Sequence, residues 1–279
     1  MPNALQRFSA AVNILPMEEP SLTLLNRFLS IFSDEDPVDS ILDLSPDVSL
    51  LQCTYLSKPD IILQPMLQYL ANCGVSDREF ANLQRVCVKA TPEHLGFFLR
   101  QEHLTSSVGW TLAGPLPFSV LNVYLPKGKT RQLVQSWAAT HNITNCISYS
   151  RIVGPGAQWE EMTLAVPSVD VCLAFFDAAK LVLPPRPLIK VAKKGSTSFA
   201  LTVWFAPDGG LIRAALRAHD PTTRLTLASR LEIPTIAESN LAVLEGYLQV
   251  TQPSWIEMGR NSNGRDALLG YHLANTDPT

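Results

Sequence analysis

Two hydrophobic periods alternate along the chain. Leu22, Leu25, Phe28, Leu29 and Phe32 recur at helical spacing and stop before the acidic turn Ser33-Asp34-Glu35-Asp36-Pro37. A strand-like run covers 49–56, and two short helices cover 60–73 and 77–88. From Leu95 onward the pattern predicts strands over 95–101, 118–125, 146–153, 160–166, 188–193, 199–205, 211–217, 255–260 and 268–272. Between them it predicts helices over 130–140, 168–183 and 235–249.

The turn residues favour hairpins over parallel crossovers. Pro207-Asp208-Gly209-Gly210, Asn261-Ser262-Asn263-Gly264 and Gly154-Pro155-Gly156 each separate two strand-like runs. The Pro184-Pro185-Arg186-Pro187 run is long enough only for a stiff connection, and no composition shift marks a boundary. Residues 1–279 therefore read as one α+β domain in which hairpins alternate with helices. So many strands strain an open twisted sheet and make closure into a barrel attractive.

In a barrel the two strand faces must differ. In 211–217, Ile212, Ala214 and Leu216 form an apolar face and Arg213, Ala215 and Arg217 the other. The same alternation sends Asn122, Tyr124, Glu161, Thr163, Lys190, Thr202, Trp204 and Glu257 to the side away from the helices. Alternation alone leaves two readings open: a polar face turned to water on a half-exposed sheet, or a polar lumen. Trp204 and Tyr124 among the polar positions favour the lumen, and an aromatic lumen with Arg and Lys suits a ligand with an anionic head and an apolar body.

Composition removes several function classes. Hydrophobic residues make up 46% of the chain and charged residues 17%, enough for a large core. A net charge of -3 gives no footprint for nucleic acid or an anionic membrane. Five cysteines without a CxxC pair argue against a disulfide framework and a zinc site. Residues 1–16 carry one basic side chain, Arg7, and do not read as a signal peptide; with no long apolar run, a cytoplasmic address and no membrane partner are expected. There is no P-loop, GxGxxG, GxSxG or aspartate-rich diphosphate motif, and His94, His103, His141 and His219 lack metal-ligand spacing.

The segment from Lys190-Val191-Ala192-Lys193-Lys194 through Ser198-Phe199 to Asp208-Gly209-Gly210-Leu211-Ile212-Arg213, followed by Asp220-Pro221, resembles the ABBA-fold aromatic prenyltransferases. The nearest group is the small phenol-, phenazine- and indole-type enzymes. Phe118 to Pro126, with Tyr124 near its end, resembles another strand of that family, and Ser254 to Tyr271-His272 resembles its terminal hairpin. The resemblance implies a closed barrel of ten antiparallel strands ringed by helices, built from αββα repeats. It also implies a luminal site where basic side chains hold an isoprenoid diphosphate.

On that resemblance Arg213 takes the diphosphate arginine, Lys190 is its basic partner on the preceding strand, and Arg265 falls near a C-terminal lysine. The lysine expected near Ser119 or Val120 is missing, with Arg100 as its replacement, and the tyrosine expected around Thr202 is missing too. No aspartate stands at Gln52, where some members bind magnesium, so no cofactor is expected and magnesium dependence is not.

The activity implied is transfer of a dimethylallyl or geranyl group from its diphosphate to an indole, phenol or similar aromatic of secondary metabolism. Tyr124, Trp204, Thr202 and Tyr271 are expected to line the prenyl and aromatic sites, and Glu161 or Glu257 to take the proton. Two rivals remain: a non-catalytic barrel carrying a hydrophobic ligand, whose lumen lacks converging basic groups, and an open-sheet interaction domain.

Overall fold

A computed structural model of the chain describes residues 4–14, 23–24, 26–27, 30, 39–45, 50–102, 105–153, 158–195, 198–219, 235–251, 253–261 and 264–273. The strands are β1 (Asp39–Leu44), β2 (Leu50–Ser57), β3 (His94–Glu102), β4 (Thr105–Pro117), β5 (Asn145–Ile152), β6 (Glu160–Val166), β7 (Phe199–Phe205), β8 (Leu211–His219), β9 (Trp255–Asn261) and β10 (Gly264–Leu273). The helices are α1 (Ala4–Val12), α2 (Pro59–Asn72), α3 (Asp77–Ala90), α4 (Phe118–Leu121), α5 (Lys129–Thr140), α6 (Val169–Ala178), α7 (Arg186–Gly195) and α8 (Thr235–Leu248).

Each strand pairs antiparallel with the next, and β1 closes on β10, with Ser40 opposite Leu273 and Leu44 opposite Leu269. The sheet is a closed ten-stranded barrel, so it has no free edge. Closure turns the period of two into an inside and an outside. Val108, Trp110 and Leu112 of β4, Leu201 and Val203 of β7, and Ala214 and Leu216 of β8 join one apolar layer. Leu83 and Val86 of α3, Val134 and Trp137 of α5, Phe175 and Phe176 of α6, and Leu241 and Leu244 of α8 belong to the same layer. The core thus lies between barrel and helices, and a second cluster, Phe98, Ile152, Trp159, Trp204 and Ala215, fills part of the lumen.

The hairpin at Pro207-Asp208-Gly209-Gly210 forms as its residues require. Gly209 adopts φ +81°, its N–H donates to the Ala206 carbonyl at 2.9 Å, and the Gly210 N–H donates to Asp208 Oδ1 at 2.8 Å. The tips at 154–157 and 262–263, the loop at Asp220-Pro221, and most of the helical pattern at 22–32 lie outside the described residues.

Two strand expectations are corrected. Residues 118–125 are not a strand: α4 and a turn follow β4, and the barrel strand is 105–117. Gly109, Gly114, Pro115 and Pro117 disguise that strand as a loop. Gly109 is there because the ring of its cross-strand partner Phe98 occupies the place of a Cβ, and the pairing shifts register between Ala113 and Leu116, where Gly114 takes φ +126°. Residues 188–193 are helical within α7, with Ala192 buried, Ile189 and Val191 half-buried and Lys190 exposed. Lys193 of that helix pairs with Asp170 at 2.7 Å. The β-branched residues imitate a strand, while Pro187 fits a first helical turn. Helix α6 is also shorter than the 168–183 expected: it ends at Ala178, and Lys180 turns the chain away with φ +55°.

Gly270, opposite Trp255, allows the indole to lie flat across β10; a Cβ there would overlap the ring. Gly270→Ala is expected to destabilise the fold by about 1–3 kcal/mol. Urea unfolding checks this, with Trp255→Leu in the same chain expected to recover most of the loss.

Candidate active site in the barrel lumen

The side chains that the apolar layer excludes meet inside the barrel. Cross-strand pairing sets Thr111, Ser150, Glu161, Trp204 and Arg213 in one row across β4 to β8. A second row runs Ala200, Arg217, Glu257 across β7 to β9. A third runs Asp43, Gln52, Arg100 across β1 to β3. Hydroxyls hydrogen-bond along this wall, Thr111 with Ser150 at 2.9 Å and Thr163 with Thr202 at 3.4 Å.

Three guanidiniums and three carboxylates share the lumen. Arg217 donates through Nε and Nη2 to Glu257 Oε2 at 3.1 and 2.9 Å, and its Nη2 lies 3.8 Å from Glu161 Oε1. Arg213 Nη2 lies 3.4 Å from the other oxygen of Glu257, whose side chain is 0% exposed. Arg100 donates through Nε and Nη2 to Glu102 at the mouth, at 3.3 and 3.0 Å.

Each guanidinium also lies over a tryptophan. Arg213 is 4.3 Å from the ring centroid of Trp204, Arg100 5.1 Å from Trp159, and Arg217 5.3 Å from Trp255.

Burial sets the protonation of the acids. Loss of water around Glu161 pushes its pKa up to about 7, with Glu257 adding to the rise and Arg217 opposing it. Burial likewise pushes Asp43 up to about 6, against Arg217. Burial works against the charge of Arg217, but Glu257, Asp43 and Glu161 outweigh it and raise its pKa.

The structure brings Arg213, Arg100, Trp204, Thr202, Glu161 and Glu257 together in the lumen. It does not bring Lys190 there: that side chain is exposed on α7, outside the barrel, so Arg213 and Lys190 do not converge. Arg217 stands near Arg213 instead, four residues along the same strand and on the same face, as the alternation of 211–217 places it. Tyr271 faces the outer layer, where its hydroxyl donates to Glu245 Oε1 at 3.3 Å. Tyr124 follows α4 and packs half-buried against the same layer. Arg265 lies on β10 opposite Arg260, and its side chain is outside the described set.

Sequence reasoning missed Asp43, because a short strand with acids at both Asp39 and Asp43 shows no clear period. Trp159 and Trp255 escaped because they stand at strand ends. Arg213 is 7% exposed, which rules out the open sheet with polar faces in water.

No protein-family model matches the chain, and no curated protein matches it in sequence. Solved structures do match in shape. The crystal structure of AnaPT from Neosartorya fischeri superposes with a TM-score of 0.68 over 98% of this chain and 93% of that one, at 8% identity. That of NotF in complex with brevianamide F and DMSPP gives 0.67 over 99% and 94%, at 13% identity. Both neighbours are ABBA-fold aromatic prenyltransferases. The chain has their fold, the closed ten-stranded barrel ringed by helices. Among the described residues, no helix is long and apolar enough to cross a membrane.

A carboxyl whose pKa is raised by folding stabilises the fold below its unfolded pKa and loses that contribution as pH rises through the folded value. For Glu161 the window runs from about 4.5 to about 7. Glu161→Gln, which keeps the neutral shape, is expected to be more stable than the parent by roughly 2–3 kcal/mol at pH 8. The two should converge at pH 4, below that window. Thermal unfolding at the two pH values checks this.

Proposed function

We propose that the protein transfers a prenyl group from an isoprenoid diphosphate to an aromatic small molecule. The observation that carries this reading is the pairing of guanidiniums with tryptophan faces inside a closed barrel. Ionisation of an allylic diphosphate makes two charges at once. The leaving diphosphate needs cationic donors in a dry site, and the allylic cation needs π faces that keep water away. Arg213 and Arg217, with Arg100 across the lumen, supply the first; Trp204, Trp159 and Trp255 supply the second. The shared barrel with AnaPT and with NotF, solved with brevianamide F and DMSPP, supports the same chemistry.

The allylic C–O bond breaks and its electron pair leaves with the diphosphate. A ring carbon of the acceptor bonds the cation, and the proton on that carbon passes to a base. Glu161 is that base. It neighbours Trp204 across the β6–β7 pair, and a pKa of about 7 lets it accept and release a proton near neutrality. Glu257 holds Arg213 and Arg217 in place. The acceptor is an indole or phenol of a size the lumen admits, with the hydroxyls of Thr111, Ser150, Thr163 and Thr202 turned towards its polar atoms. The luminal carboxylates lie among guanidiniums, and the arginines take the charge-neutralising part without magnesium. A carrier barrel for neutral lipid gains no support from three converging arginines.

Incubation with dimethylallyl or geranyl diphosphate and a panel of indoles and phenols is expected to give prenylated products by mass spectrometry. Failure to bind either diphosphate overturns the reading. By calorimetry with a thiolodiphosphate analogue, Arg213→Ala and Arg217→Ala are each expected to weaken donor binding at least tenfold while acceptor affinity changes less. The turnover rate is expected to rise with pH through about 7 and to lose that step in Glu161→Gln.

A further inference from the structure

A cavity lies outside the barrel wall, and the proposed reaction does not use it. Its volume is about 350 Å³, and it opens between α3, the chain after α4 and the outer face of β4 to β7. That is the size of pocket that holds a two- or three-ring molecule. Its lining is mixed: the aromatic side chains Tyr124 and Trp159 stand beside the polar ones Arg78, Asn82, Arg151 and Glu160.

The polar groups around it are unequally engaged. The Tyr149 hydroxyl donates to Glu160 Oε2 at 2.6 Å. Arg151 lies 3.7 Å from Glu160 Oε1 and donates to Glu79 Oε1 at 3.3 Å, so both carboxylates at this end are held. Arg78 of α3 lines the cavity, is exposed, and has no carboxylate partner among the described residues. In the wall, Trp110 Nε1 and Tyr124 Oη are buried without a hydrogen-bond partner in the described structure. Such groups cost stability until an acceptor or donor reaches them.

We infer that this cavity is a binding site for a small planar aromatic acid, with its rings against Tyr124 and Trp159 and its carboxylate on Arg78. The site is separate from the lumen but shares a wall with it. Trp159 lines the cavity while its ring stacks on luminal Phe98, at 6.3 Å and 19°, and receives Arg100 on its face. An occupant there bears on the side chain that holds one luminal arginine. The inference does not rest on the prenyl-transfer reading, since it concerns binding on the outer side of the barrel wall.

The test uses the full chain and 2-naphthoate as the probe, with 2-naphthylmethanol as its neutral counterpart, followed by calorimetry and tryptophan fluorescence. Naphthoate is expected to bind with micromolar affinity and to quench tryptophan emission. Arg78→Ala, an exposed change that leaves the core intact, should weaken naphthoate at least tenfold and the alcohol less than twofold. Asn82→Trp, which fills the cavity from α3, should abolish both. Arg213→Ala, in the lumen, should leave both unchanged. Three results would overturn the site: no binding at millimolar probe, binding lost in Arg213→Ala, or binding unaffected by Asn82→Trp with the variant folded by circular dichroism.

Discussion

Glu257 is enclosed by protein on every side, and a carboxylate so placed is tolerable only where cations reach it. Arg217 takes one oxygen and Arg213 the other. This arrangement fixes two guanidiniums that would otherwise be long, mobile side chains, and it fixes them inside rather than at the rim. The tryptophan faces then have something to hold. Trp204 and Trp255 pack against guanidiniums whose positions are already set by the same acid. Removing Glu257 would leave two buried cations without compensation, which is far worse than never having built the pair.

The barrel makes such a cluster possible. An open sheet of the same alternation would put these groups in water, where each pair contributes little. A closed ring with helices outside has two unlike interiors: an apolar one between sheet and helices, and a polar one within the sheet. The outer layer supplies the stability, and the lumen is then free to carry groups whose ionisation is displaced. Raised acid pKa values at Glu161 and Asp43 are the mark of that displacement, and such groups gather where a protein does chemistry.

Much of this was legible because period-two alternation survives in short strands. In 211–217 it assigned Arg213 and Arg217 to one face and Ala214 and Leu216 to the other, which is the observed arrangement. Glu161, Thr163, Thr202, Trp204 and Glu257 followed from the same rule. The failures have a common cause: local pattern is blind to what lies across the sheet. Gly109 looks like a breaker until Phe98 is seen to fill its place, and Ile189 and Val191 look like a strand until α7 packs them against the outer layer. For the same reason the strand pattern points Lys190 inward, whereas it lies exposed on α7. Asp43 contributes to the cluster only through partners more than fifty residues away, and no window on the sequence contains them.

The seam of the ring is the pairing of β1 with β10. Asp43 stands on one side of it, and the groups that perturb its charge, Arg217 and Glu257, stand beyond the other. The charge cluster is therefore complete only when strands from opposite ends of the chain have met, a long-range contact of the kind that forms late and slowly. A ribosome-bound chain lacking β10 would hold arginines and acids in an unsealed cleft open to water. The lumen is sealed only where β10 has joined β1, so a chain without that pairing would not carry the finished cluster.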